Sequence, residues 1–208
     1  WFVSGEIIWL EYYEPVNTDE TAQLEIGSLI HGYRMGQVHQ MIENNSRGLN
    51  DSGDCNYDVN CPIGSDFDEK KDVIKKAVAL LNLCNGFLCS SSLINTTLND
   101  KTPYLLTANH CLEFSNPSFW SVLFNWMSPS PVCASEEESL DIQTNFTMSG
   151  AELIANNSLS DFALVKLHNE IPGSWDVAFA GWDNTDNLPS MEVGIHHPNG
   201  DIMKICRD

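Results

Sequence analysis

The sequence predicts an all-β fold, a barrel or a sandwich built from many short strands. Three observations carry that expectation. Short runs rich in β-branched and aromatic residues recur along the chain. Turn formers stand between them, among them Asn85-Gly86, Asn99-Asp100-Lys101 and Pro198-Asn199-Gly200-Asp201. One run, 119–126, alternates with the period of two that puts every second side chain on one face of a strand.

Residues 1–46 read as short strands: 6–13 is β-rich and 22–26 alternates, punctuated by Pro15 and Gly27. Residues 43–54 are polar and carry glycine, the composition of an exposed linker, a domain boundary or a processing site. The stretch 68–83 is ambiguous. Val73, Ala77, Leu80 and Leu81 stand at helical spacing among good helix formers, yet Val73, Ile74 and Val78 favour strand. Asn85-Gly86 is the strongest hairpin signal of the chain and would pair 77–83 with 87–94. Asn99-Asp100-Lys101 turns into a strand over 103–107. In 119–126, Trp120, Val122, Phe124 and Trp126 share a face, and Pro129 and Pro131 end the run. Residues 141–148 and 152–155 are further strand candidates. Residues 161–167 are mostly apolar, as a strand covered on both faces should be. Residues 168–176 form a connection, after which 177–182 and 191–196 resume strand character.

Hydrophobic residues make up 42% of the 208, enough for a packed core in one large domain or two small ones. No stretch approaches the ~18 apolar residues of a membrane helix, so no membrane partner is expected. The net charge of -19, from 29 acidic and 10 basic residues, argues against a nucleic-acid partner, because phosphates need clustered Lys and Arg. Such a field draws in cationic substrates or simply keeps the protein soluble, and the plainer reading is preferred. Seven cysteines match no zinc-site spacing and point to a disulfide framework in an oxidising compartment. Their odd number calls for a partner beyond Asp208 or a free thiol. Both ends of the chain read as cut, and no signal peptide is visible.

Two segments carry chemistry. Thr107-Ala108-Asn109-His110-Cys111 ends the apolar run Tyr104-Leu105-Leu106, and Ser160-Asp161 heads the run Phe162-Ala163-Leu164. Hydrolysis by an activated serine needs an imidazole to take the hydroxyl proton and a carboxylate to hold that imidazole in one tautomer. His110 is the candidate base and Asp161 the candidate orienting acid. Plainer readings stand beside them: a turn histidine held by backbone, and a solvated strand cap. An aspartate leading an apolar strand is costly to bury alone, and an imidazole N–H would partner it. Asp183 is a weaker competitor in a turn setting. Asp51-Ser52-Gly53 spells a tripeptide common around protease nucleophiles, but it sits in the polar linker, with Asn50 where a glycine would be expected. Ser90-Ser91-Ser92 reads as strand surface. His196 and His197 point to opposite faces of a strand, so they cannot easily chelate one ion and read as the entry to the turn at Pro198. No cofactor and no metal is expected. The sequons at Asn44, Asn95, Asn145 and Asn156 are weak signals.

Taken in order, these segments resemble chymotrypsin-fold (trypsin-like) serine proteases, most closely the secreted bacterial lysyl endopeptidase branch. The resemblance rests on Asp54-Cys55-Asn56-Tyr57-Asp58-Val59-Asn60-Cys61-Pro62, Leu88-Cys89-Ser90-Ser91-Ser92-Leu93-Ile94-Asn95, the two segments around His110 and Asp161, Ala180-Gly181-Trp182-Asp183, and Ile195-His196-His197-Pro198. It covers about residues 51–205. It implies a chymotrypsin-like double β-barrel with the active site in the cleft between barrels. Residues 1–50 would be the end of a pro-region and a linker, 51–172 a complete first barrel carrying His110 and Asp161, and 173–208 the start of a second barrel. The catalytic serine and the oxyanion-binding N–H groups would lie beyond residue 208.

The resemblance also implies disulfides Cys89–Cys111 and Cys61–Cys133, with Cys55 paired to a cysteine in the C-terminal part beyond Asp208. Each bridge would contribute about 2–4 kcal/mol. Cys84 and Cys206 depart from the family pattern, and either pair with each other or find partners elsewhere. The function implied is that of a secreted, monomeric serine endopeptidase precursor cleaving after lysine or another basic residue. Its partners would be protein or peptide substrates and its own pro-region, cut near Arg47-Gly48. This fragment alone is expected to be inactive. The alternative is a non-catalytic secreted binding module on the same fold.

Overall fold

The computed structural model describes residues 49–53, 55–84, 86–133, 139 and 146–207. The strands expected at 6–13 and 22–26, the pro-region, the cut near Arg47-Gly48, Asn85 of the hairpin signal, residues 141–145 and the sequons at Asn44 and Asn145 lie outside the described residues. Among the described residues, ten strands run in chain order: β1 Tyr57–Asp58, β2 Val78–Asn82, β3 Leu88–Ile94, β4 Tyr104–Ala108, β5 Ser121–Phe124, β6 Thr147–Ser149, β7 Ala151–Asn157, β8 Phe162–Leu167, β9 Val193–His196 and β10 Lys204–Arg207. One short helix, α1 Asp68–Ile74, precedes β2. The strands form a seven-stranded sheet, β6-β5-β2-β3-β4-β8-β7, and a three-stranded sheet, β1-β10-β9. All pairings between these strands are antiparallel.

The ambiguous stretch 68–83 is both things in turn. Its charged start makes α1, with Asp68 and Glu69 in the first turn, where the helix dipole favours acids. A 3₁₀ turn, Lys75–Ala77, then leads into β2. There the chain must be buried on both faces: Ala79 and Leu81 enter the main core, while Val78 and Leu80 enter two smaller clusters behind it. β2 pairs with β3 from Val78↔Ser92 to Asn82↔Leu88, and the turn between them holds Cys84 and Gly86 at φ 58° and 90°.

The large sheet closes at Gly150. β6 and β7 are its two edges, yet they are consecutive in the chain, joined by this one residue. Gly150 N–H donates to Trp120 O at 2.9 Å, beside β5, and Gly150 O accepts from His168 N at 3.1 Å, just past β8. One residue therefore links both margins of the sheet. Its φ of +87° and the 2.6 Å that would separate a Cβ from His168 Nδ1 explain why it is glycine. Inside lie Leu81, Leu93, Leu105, Trp120, Val122, Phe124 and Val165, all essentially inaccessible. The fold is all-β with a chymotrypsin-like barrel.

Four local expectations are corrected. Trp126 does not share the face of Trp120, Val122 and Phe124; Asn125 at φ 52° breaks the alternation and turns Trp126 toward Leu80, Leu123 and Ile202. β8 is covered on one face only: Ala163, Val165 and Leu167 are buried, whereas Phe162 is exposed and Leu164 half-buried. An antiparallel barrel wall needs only its inner face covered. Residues 177–182 form no strand; they make a single parallel bridge, Ile94↔Ala180, and lay Val177, Ala178, Phe179 and Ala180 against the core. Their apolar content serves as a cover rather than a ladder. Ser90-Ser91-Ser92 is surface only in part: Ser90 and Ser92 are half-buried, and Ser91 is buried with its Oγ donating to Ala79 O at 3.1 Å.

The three-stranded sheet is tied to the chain's described start through buried charge. Lys204 Nζ donates to Asp58 Oδ1 at 2.6 Å and lies 3.3 Å from Asp201 Oδ2. Asp58 also accepts from Val132 N at 2.8 Å and Ser139 Oγ at 2.6 Å. Asp201 accepts from Asn50 N at 2.8 Å, Ser52 N at 3.4 Å and Ile202 N at 2.7 Å. Ionised groups this deep need every such contact. Asp51-Ser52-Gly53 is consequently no free linker: it is pinned to the Asp201 turn, with Asp51 O accepting from Asn199 Nδ2 at 2.8 Å.

Two disulfides are present, Cys61–Cys133 and Cys89–Cys111, while Cys55, Cys84 and Cys206 are free thiols. Cys84 and Cys206 do not pair with each other. The Cys84 thiol bonds to Phe119 O at 2.8 Å, and burial pushes its pKa up. Cys206 stands opposite Gly194 on the neighbouring strand. Among the described residues, no helix is long and apolar enough to cross a membrane.

Candidate active site

Pairing of β4 with β8 brings together two segments that are far apart in sequence. The register Ala108↔Phe162 makes Asn109 and Asp161 the next neighbours, and Asn109 N donates to Asp161 O at 3.0 Å. β4 then ends in a 3₁₀ turn, Asn109–Leu112, that presents His110. Asp161, at φ 51°, closes the β7–β8 turn; Asp tolerates this left-handed conformation better than most residues.

The carboxylate bridges His110 twice. Asp161 Oδ1 accepts from His110 N at 2.9 Å, and Asp161 Oδ2 lies 2.8 Å from His110 Nδ1. A carboxylate there places the imidazole proton on Nδ1 and leaves the Nε2 lone pair free to accept another. These hydrogen bonds, from the His110 side chain first and its backbone second, hold the Asp161 carboxyl below the usual carboxylate range. Its folded pKa is depressed, so the contact is intact above that range and is lost as pH falls through the folded value. Both side chains are open to solvent, His110 at 62% and Asp161 at 52% relative exposure. A contact so exposed adds little stability, and covering it would strengthen its electrostatics.

The Cys89–Cys111 bridge bolts the His110 turn to β3, and Thr107 Oγ1 adds a bond to Ser90 O at 2.8 Å. Cys89, His110 and Cys111 offer ligand atoms within 4.8 Å of one another. Both sulfurs are joined to each other, so neither is a thiolate able to bind a metal.

The competing residues sit elsewhere. Asp183 caps a turn, accepting from Thr185 N at 2.8 Å and Thr185 Oγ1 at 3.1 Å. Among the described residues, no serine hydroxyl bonds to the His110 ring. Ser90 Oγ instead accepts from His197 N at 2.9 Å. Not singled out as site residues by the sequence are Asn109, Asn156 and Asn157, which surround the pair; the available signal was amides flanking a turn.

His197 is buried, stacks on Trp126 and donates Nδ1–H to Asp201 O at 2.9 Å, while its Nε2 has no hydrogen-bond partner among the described residues. Burial pushes its pKa from 6.5 down to about 4. Through that window the unfolded chain binds a proton that the folded chain refuses. Stability is thus whole above pH 6.5 and falls, by about 3 kcal/mol, as pH drops to about 4. Urea midpoints of the full-length protein between pH 7 and 4 should show this loss. The variant H197F, which keeps a ring against Trp126 but cannot titrate, should show a shallower decline; an identical decline contradicts the assignment.

The family model of the lysyl endopeptidase C-terminal domain matches residues 49–208. A lysyl endopeptidase of Pseudomonas aeruginosa is 24% identical over 162 residues, covering 76% of this chain and 34% of the relative. The chain spans about a third of the length of that curated relative.

Proposed function

Because this chain belongs to the lysyl endopeptidase C-terminal-domain family, we propose that it supplies the general base and the orienting carboxylate of a secreted serine endopeptidase. The observation that supports this most is the two-point grip of Asp161 on His110, at 2.8 Å on the ring and 2.9 Å on the backbone. His110 Nε2 takes the proton of a serine hydroxyl as that oxygen attacks the peptide carbonyl. The imidazolium so formed is steadied by Asp161, and returns the proton to the leaving amine. The serine and the N–H groups that hold the oxyanion come from the protein beyond residue 208. The two disulfides fit an oxidising, extracellular setting.

Cleavage follows lysine or another basic residue, a specificity that rests on the likeness to the relative, whose name is lysyl endopeptidase. Otherwise identical peptides with Lys, Arg or Leu on the acyl side of one bond test this on the full-length protein. The basic peptides should exceed Leu by at least about 10²-fold in kcat/KM. A preference for Leu contradicts the specificity, and no turnover of any peptide contradicts the enzyme and favours a binding module.

A further inference from the structure

Two adjacent asparagines at the end of β7 clasp both halves of the His110–Asp161 unit. Asn156 Nδ2 donates to Asn109 Oδ1 at 2.7 Å, reaching the residue that leads into the His110 turn. Asn157 Oδ1 accepts from Leu159 N at 2.9 Å and from Ser160 N at 3.0 Å, with Ser160 Oγ at 3.3 Å. We propose that Asn156 and Asn157 are positioning residues that set the catalytic geometry of His110 and Asp161, a role that rests on the reading of that pair as base and orienter.

Asp161 must hold φ at 51°, with its backbone carbonyl on Asn109 N and its two carboxylate oxygens on two atoms of His110. That is a non-glycine residue in a sparsely populated conformation, at the end of a turn exposed throughout. Leu159, two residues before it, is 97% exposed, so its side chain does not fix the turn by burial. The side chain of Asn157 does, by an Asx-type contact to the two N–H groups that precede Asp161. Asn156 projects from the same strand end across to β4's extension. It prevents the His110 turn from sliding relative to the Asp161 turn. Cys111 anchors the His110 turn in the core, but the side chains of His110 and Asp161 are more than half exposed and are not themselves held by core packing. Small errors are costly here, because an imidazole displaced by about 1 Å can cost 10²-fold in rate.

The test uses the full-length protein with N157A and N156A, beside H110A as reference. N157A should lower kcat ~10- to 100-fold with KM within about twofold, and shift the low-field Nδ1–H proton resonance of His110. The conservative variant N157D, which keeps both acceptor contacts, should recover most of kcat. N156A should lower kcat by severalfold, also without moving KM. A folded N157A with wild-type kcat, pH profile and proton resonance overturns the proposal. If N157A does not accumulate, N156A decides alone, and wild-type kcat in N156A overturns the proposal. These outcomes remain separate from the underlying reading: an active H110A would refute the catalytic pair itself, whereas an inactive H110A with unaffected asparagine variants refutes only the positioning role.

Discussion

Replacing His110 by alanine in the full-length protein should lower kcat by about 10⁴-fold or more, with KM little changed. The loss falls on kcat because the proton transfer exists only in the transition state. D161N should come close to it. An amide at 161 can still accept from His110 N with its oxygen, but then its NH₂ faces Nδ1. That arrangement drives the imidazole proton to Nε2, where the lone pair is needed. Steady-state rates on a lysyl peptide, with circular dichroism to confirm folding, check both variants. A folded H110A that keeps more than a tenth of wild-type kcat contradicts the role. D161N probes the geometry more sharply than alanine, because it leaves size and hydrogen-bonding capacity almost unchanged and inverts only the donor.

The largest stability effect is expected at Gly150. G150V should destabilise by about 3–5 kcal/mol or fail to accumulate in soluble form. Any Cβ there meets His168 Nδ1 at 2.6 Å and the backbone oxygen of Ser118 at 3.3 Å, in a residue held at φ +87°. The imidazole can move aside; the backbone oxygen and the positive φ cannot be relieved without opening the junction of β6 and β7. G173A is the matched control, since a Cβ at Gly173 meets nothing within 4 Å. It should unfold at the wild-type denaturant concentration. Equal stability of G150V and G173A would show that the sheet does not depend on its Gly150 junction.

The sequence made the catalytic candidates easy to find and the barrel harder. His110 and Asp161 were legible because each stands at the end of an apolar run, next to residues of small size or special chemistry. Their approach depends on one register, β4 on β8, that alternation alone does not specify. The 68–83 stretch defeated a single period because it changes from helix to strand within a few residues, and its strand half faces core on both sides. Trp126 was misplaced because the break at Asn125 is a backbone event, invisible to a count of alternating apolar residues. The cover formed by 177–180 looked like strand because apolar content is the same whether a segment pairs or merely packs. Gly150 carried no motif at all; its role appears only when both sheet edges are seen to be consecutive in the chain. The clasping asparagines were hidden for a similar reason, since an amide beside a turn is common and its target here lies on another strand.

The central claim is that His110, held by Asp161, activates a serine supplied from beyond residue 208. Labelling the full-length protein with a fluorophosphonate, which reacts with base-activated serines, tests it most directly. The account predicts one labelled serine, C-terminal to residue 208, with labelling abolished in H110A. Label on Ser52 or on Ser90-Ser91-Ser92, or undiminished labelling in a folded H110A, would contradict it.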